Sequence, residues 1–171
     1  MEDWINMMSE TYVECLIKKK TSTGMVFLRM LTLSMAVVFI LVGFILWPAM
    51  IVGLLMAAAS YFILMNTDLE YEYLYLDKEI TIDKVMAKTK RKTVNKYEIE
   101  SMEILAPIKS WHLDEYKNRT VKTVDYSSGV ENQPDMRYAM YYDGGVRVIL
   151  EPSMDMVKAI KNIAPRKVFT D

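Results

Sequence analysis

One cysteine and one histidine occur among 171 residues. The single thiol, Cys15, allows no internal disulfide and no cysteine-rich zinc site, so non-covalent contacts must hold the fold, and a reducing compartment suits it. As a small apolar side chain, Cys15 reads as a packing residue. The single imidazole, His112, lies in SWHLDEYK beside Trp111, Asp114 and Glu115. It reads as a surface residue in an insertion rather than a base or metal ligand. A phosphate-cradling glycine loop, an HExxH pair and a GxSxG elbow are all missing. Nothing in the spacing brings Cys15 to His112 as a dyad. No catalytic residue, no metal ligand and no cofactor is expected. Neither charge is in bulk excess, with 21 basic and 22 acidic side chains, so no net field draws the chain toward nucleic acid.

The largest absence is local. No Asp, Glu, Lys, Arg or His lies between Met30 and Met65. As one helix that run would extend about 54 Å, against a bilayer core of roughly 30 Å. Two crossings fit better, about 33 Å for residues 25–46 and about 27 Å for 48–65. Proline belongs in the first turn of a new helix, and tryptophan prefers the headgroup level, so the break is expected at Trp47-Pro48. Proton relays and ion paths need intramembrane ionisable groups, which makes residues 21–66 an anchor rather than a transporter. Gly43, Gly53, Ala57 and Ser60 are small enough to let two helix backbones approach closely. They serve either as the internal seam of the hairpin or as a docking surface for a partner's helix.

Lys18, Lys19, Lys20 and Arg29 flank the first span, and the turn between spans carries no charge. The positive-inside rule puts the lysine side in the cytoplasm, and two crossings return the chain there, so both termini are expected to be cytoplasmic. Glu2 and Asp3 are acidic where a cleaved signal peptide is basic, so the apolar segment is expected to remain as an anchor. Residues 1–20 carry Trp4, Ile5, Met8, Tyr12, Cys15 and Leu16 at intervals of three and four, which predicts an amphipathic helix. Its apolar stripe can lie on the inner leaflet or pack on the chain's own soluble domain; both readings stand.

Beyond Asn66 the period shortens to two. LEYEYLYL puts Leu69, Tyr71, Tyr73 and Tyr75 on one face, and EITIDKVM follows after an Asp77-Lys78 turn. Further strands are predicted from Lys90, Ser101 and Val121. RYAMYYDGGVRVIL reads as a hairpin, its Asp143-Gly144-Gly145 supplying positive φ. PSMDMVKAIKNIAP then reads as a helix capped by Ser153, with Met156, Val157, Ile160 and Ile163 as its stripe and Pro165 as its stop. Residues 166–171 are left as a tail. Tyr71, Tyr73, Tyr75, Tyr138, Tyr141 and Tyr142 are expected as core packing rather than a binding groove.

About seven antiparallel strands closed by a C-terminal helix is the order of pleckstrin-homology-like domains. EYLYLDKEITI and KTKRKTVNKYEIESMEIL resemble the bacterial version of that fold. With TYVECLIKKKT before the spans and DLEYEY after them, the chain is similar to a family of small bacterial two-span membrane proteins. The resemblance implies a membrane α-helical hairpin followed, over residues 67–165, by a cytoplasmic, mainly-β pleckstrin-homology-like domain. It implies no reaction. IKSWHLDEYKNRT is longer than a plain hairpin connection and departs from the simplest pattern.

Lys84, Lys88, Lys90, Arg91, Lys92 and Lys96 form a basic stretch with no acid among them. They can pair across the sheet with the six acids between Asp68 and Asp83, contact anionic headgroups, or receive an acidic protein. The resemblance implies that lipid contact would use the first hairpin, which here is acidic. The leading expectation is a non-catalytic protein of the cell membrane with a binding domain on the cytoplasmic side. Its partners are then the lipid bilayer, a protein partner or a second copy, and anionic lipid headgroups, with no nucleic acid. An accessory subunit of a larger membrane complex is the alternative, and a membrane-proximal hydrolase ranks last.

Overall fold

A computed structural model describes residues 12–131 and 134–171. The chain divides into two compact units, Lys20–Glu70 with Val85–Arg91 and Met1–Lys19 with Tyr71–Lys84 and Lys92–Asp171.

In the first unit, helix α1 spans Thr23–Gly43 and helix α2 spans Trp47–Thr67. Each is about 31 Å long, and both are long and apolar enough to cross a membrane. Pro48 occupies the first turn of α2, where its missing N–H has no partner to lose. The break falls at Phe44–Leu46, just ahead of Trp47, so the first helix ends earlier and the second runs further than residues 25–46 and 48–65 would have it. A Cβ at Gly43 would lie 2.8 Å from the Met50 backbone, and one at Gly53 would lie 2.9 Å from the Ile40 nitrogen. Glycine is required at both because the two backbones touch there. Ala36 and Ser60 are buried along the same seam and Ala57 is half-buried, while most side chains of both helices face outward.

In the second unit, Val13–Lys18 forms strand β1. This corrects the amphipathic helix expected over residues 1–20; residues 1–11, with Trp4, Ile5 and Met8, lie outside the described residues. Val13, Cys15 and Ile17 pack on the core, while Glu14, Leu16 and Lys18 are exposed, Leu16 by 53%. Pairing with β2 imposes this period of two and overrides the helical stripe.

Among the described residues seven strands follow the helices: β2 (Leu69–Leu76), β3 (Glu79–Met86), β4 (Lys90–Glu98), β5 (Met102–Pro107), β6 (Lys122–Asp125), β7 (Tyr138–Tyr142) and β8 (Val146–Leu150). Together with β1 they form two four-stranded sheets, ordered β1-β2-β3-β4 and β5-β7-β8-β6. One pair departs from the expected antiparallel arrangement: β6 runs parallel to β8. The connection from Ile108 to Val121, with its 3₁₀ turn Trp111–Tyr116, explains this. It is a crossover that carries the chain from one sheet edge to the other without reversing it.

Helix α3, Met154–Ile163, starts as expected, with the Ser153 hydroxyl accepting from the Met156 amide. Met156, Val157 and Ile160 are buried, but Ile163 is exposed. Residues after Arg166 are no loose tail. The Leu105 amide donates to the Lys167 carbonyl, the Phe169 amide donates to the Leu105 carbonyl, and Val168 is buried. Tyr71, Tyr73, Tyr75 and Tyr138 join Ile80, Ile82, Met140 and Leu150 in one core, with Tyr141 in a smaller second cluster. Tyr142 packs half-buried at the margin of the first.

Candidate functional site

The turn joining β3 to β4 takes the left-handed conformation at two successive non-glycine residues, Ala87 (φ 48°) and Lys88 (φ 54°). That pair of angles matches the twist of a tight hairpin and costs about 1 kcal/mol or more per residue carrying a Cβ. Thr89 closes the turn by donating its amide to Met86. The turn is also fastened to the helices. The Ala87 amide donates to the carbonyl of Asp68, the residue that ends α2, at 2.7 Å. Next to this point the Thr21 hydroxyl donates to the Thr67 carbonyl at 2.8 Å, drawing the start of α1 to the end of α2.

The open end of the helical hairpin therefore carries a cationic loop. In this unit Lys20, Arg29, Lys88, Lys90 and Arg91 stand against only Asp68 and Glu70. Lys20, Lys88 and Lys90 are exposed, and Glu70 is buried. The opposite end, Phe44 to Trp47, carries no charge.

The six basic residues read together in the sequence are thus divided. Lys88, Lys90 and Arg91 belong with the helices, and Lys84, Lys92 and Lys96 belong with the β unit. Lys96 pairs across the sheet with Glu79 at 2.8 Å. That contact, with a hydrogen bond from the Thr81 hydroxyl, holds the Glu79 carboxyl below its ordinary range. Lys84 is half-buried on β3, while Lys92 is exposed on β4. Glu72 and Asp83, two of the six acids that could pair with the basic strand, are buried.

The other singled-out side chains are absorbed into the fold. His112 is stacked between Trp111 and Phe169, with ring centroids 3.7 Å away on both sides, and its Nε2 lies 3.7 Å from an Asp171 oxygen. It fastens the C-terminal segment, a role that sequence spacing could not reveal because Phe169 is 57 residues away. The Cys15 thiol donates to the Glu151 carbonyl at 3.8 Å, and burial pushes it above its ordinary range, away from the reactive thiolate. The Tyr73 hydroxyl donates to the Tyr126 carbonyl at 2.7 Å and accepts from the Glu151 amide. Among the described residues no group of three or more His, Cys, Asp or Glu is placed to hold a metal ion.

Residues 9–170 match the family model described as a bacterial PH-like domain, DUF6106. The chain belongs to this family. The match takes in both helices as well as the strands, so in this DUF6106 chain the helical hairpin lies inside the matched region rather than beside it. No curated protein and no solved structure matches the chain.

Proposed function

We propose that this DUF6106 chain is a non-catalytic integral protein of the cell membrane. Helices α1 and α2 cross the bilayer, both chain ends are cytoplasmic, and the cationic β3–β4 turn rests at the inner headgroups. The PH-like domain is then presented to the cytoplasm, where it binds a protein partner or anionic headgroups. One observation carries this reading: the Ala87-Lys88 turn is hydrogen-bonded to the residue that ends the second uncharged helix. A hairpin with cations at its open end and none at its tip suits an anionic inner leaflet, where each exposed lysine contributes about 1 kcal/mol.

The accessory-subunit reading would need the outward helix faces, because Gly43, Gly53 and Ser60 are taken up inside the hairpin. A photo-crosslinking residue at Lys88, activated in native membranes, tests the proposal. Lipid adducts are expected, and their yield should fall in a Lys20→Glu, Lys90→Glu background. A protein adduct with no lipid would remove the turn from the headgroups.

A further inference from the structure

We propose that the free edge of β4 receives an acidic, extended segment of a partner protein as an added strand. Beyond the headgroup reading, which concerns the β3–β4 turn, this concerns Lys92–Lys96 in the β unit. β4 is the longest strand among the described residues and ends its sheet, with β3 as its one neighbour in the strand order. Every residue from Lys90 to Lys96 is exposed, whichever face of the sheet it points to.

Side-chain contacts tie this strand to the core while Lys90 to Lys96 stay exposed. The Asn95 side-chain amide donates to the hydroxyls of Tyr97 and Tyr126, anchoring the strand to the core through polar contacts. Tyr97 itself is buried and in edge contact with Tyr142.

A sheet edge offers unpaired backbone N–H and C=O groups, and side chains select what pairs with them. Lys92, Val94 and Lys96 share one face by the period of two, and Val94 is 40% exposed. A second copy would bring lysine against lysine, which is destabilising directly across strands. The fitting neighbour has acids opposite Lys92 and Lys96 and an apolar residue opposite Val94, which is the pattern acid-x-apolar-x-acid. Lys92 has no ion pair with a described residue, and Lys96 has only Glu79. Residues facing Thr93 and Asn95 should be small and polar.

The test uses the full chain in zwitterionic micelles, free of anionic lipid, with a labelled synthetic peptide containing Glu-Thr-Val-Thr-Glu. Binding is expected together with slowed amide exchange in Lys92–Lys96. Replacing the peptide's glutamates by lysine should abolish binding, and Lys92→Glu with Lys96→Gln should weaken it at least about tenfold. Methylating alternate peptide nitrogens, which leaves the protein untouched, should abolish it as well. Binding that survives methylation would reduce the contact to charge alone and overturn strand addition. Absence of both binding and protection would overturn it too, as would Lys92 and Lys96 mattering only for anionic vesicles.

Discussion

The Ala87 amide donates to the Asp68 carbonyl at 2.7 Å, joining a β-turn to the end of a helix 19 residues earlier. Both groups are backbone, so neither side chain records the contact. Ala87→Pro removes the donor and forces φ negative where the turn needs +48°. A loss of about 2–4 kcal/mol is expected. Amide exchange of Thr89 and neighbouring residues should accelerate, and lipid crosslinking from Lys88 should fall.

The close approach at Gly53 makes a sharper test of the helical hairpin. Gly53→Ala would set a Cβ 2.7 Å from Ile40 Cγ1 and 2.9 Å from its nitrogen, costing about 1–3 kcal/mol. Gly24→Ala has nothing nearer than 3.9 Å and should be silent. Thermal unfolding in micelles, followed by helical circular dichroism, separates the two.

Much of this architecture is legible in the sequence because local chemistry decides it. Asp143-Gly144-Gly145 closes the β7–β8 hairpin, with positive φ at Asp143 and Gly144. Ser153 caps α3, and the tyrosines of LEYEYLYL point into the core. What stays hidden depends on distant partners. YVECLIK satisfies both periods, with Tyr12, Cys15 and Leu16 at helical spacing and Val13, Cys15 and Ile17 at strand spacing. Only pairing with β2, some fifty residues on, decides between them. The parallel β6–β8 pair, the stacking of His112 on Phe169 and the division of the six cations have the same origin.

Acid should weaken the β unit through Asp135. Arg137 grips its carboxylate through Nε at 2.9 Å and Nη2 at 2.8 Å, holding it down at about 2 against an ordinary 3.8. A carboxyl lowered in the folded state contributes its stability above the unfolded value, and that stability is lost as pH falls from about 4 to about 2. After solvent screening the loss should be about 1–2 kcal/mol. Urea unfolding across that window should be flatter for Asp135→Asn.

Alkali should act through the tyrosines in the opposite direction. Burial raises the phenols of Tyr73 and Tyr97 well above their ordinary value of 10.0. The unfolded chain then releases protons that the folded chain keeps, so stability declines as pH rises past about 10. Tyr73→Phe should reduce that decline. It should also cost about 1–2 kcal/mol at neutral pH by leaving the Tyr126 carbonyl without its donor.

His112→Ala removes the middle ring of the stack with Trp111 and Phe169 and should cost about 1–2 kcal/mol. Faster amide exchange at Phe169, with β1 unaffected, is the expected signature.

The central claim, a two-span hairpin with both ends in the cytoplasm, is tested most directly by thiol accessibility in intact cells. In a Cys15→Ser background, single cysteines are placed at Ile45, in the tip between α1 and α2, and at Asp171. A membrane-impermeant maleimide should label Ile45→Cys from outside and Asp171→Cys only after permeabilisation. Labelling of both from the same side would contradict the hairpin crossing, and with it the placement of the Lys88 turn at the inner leaflet.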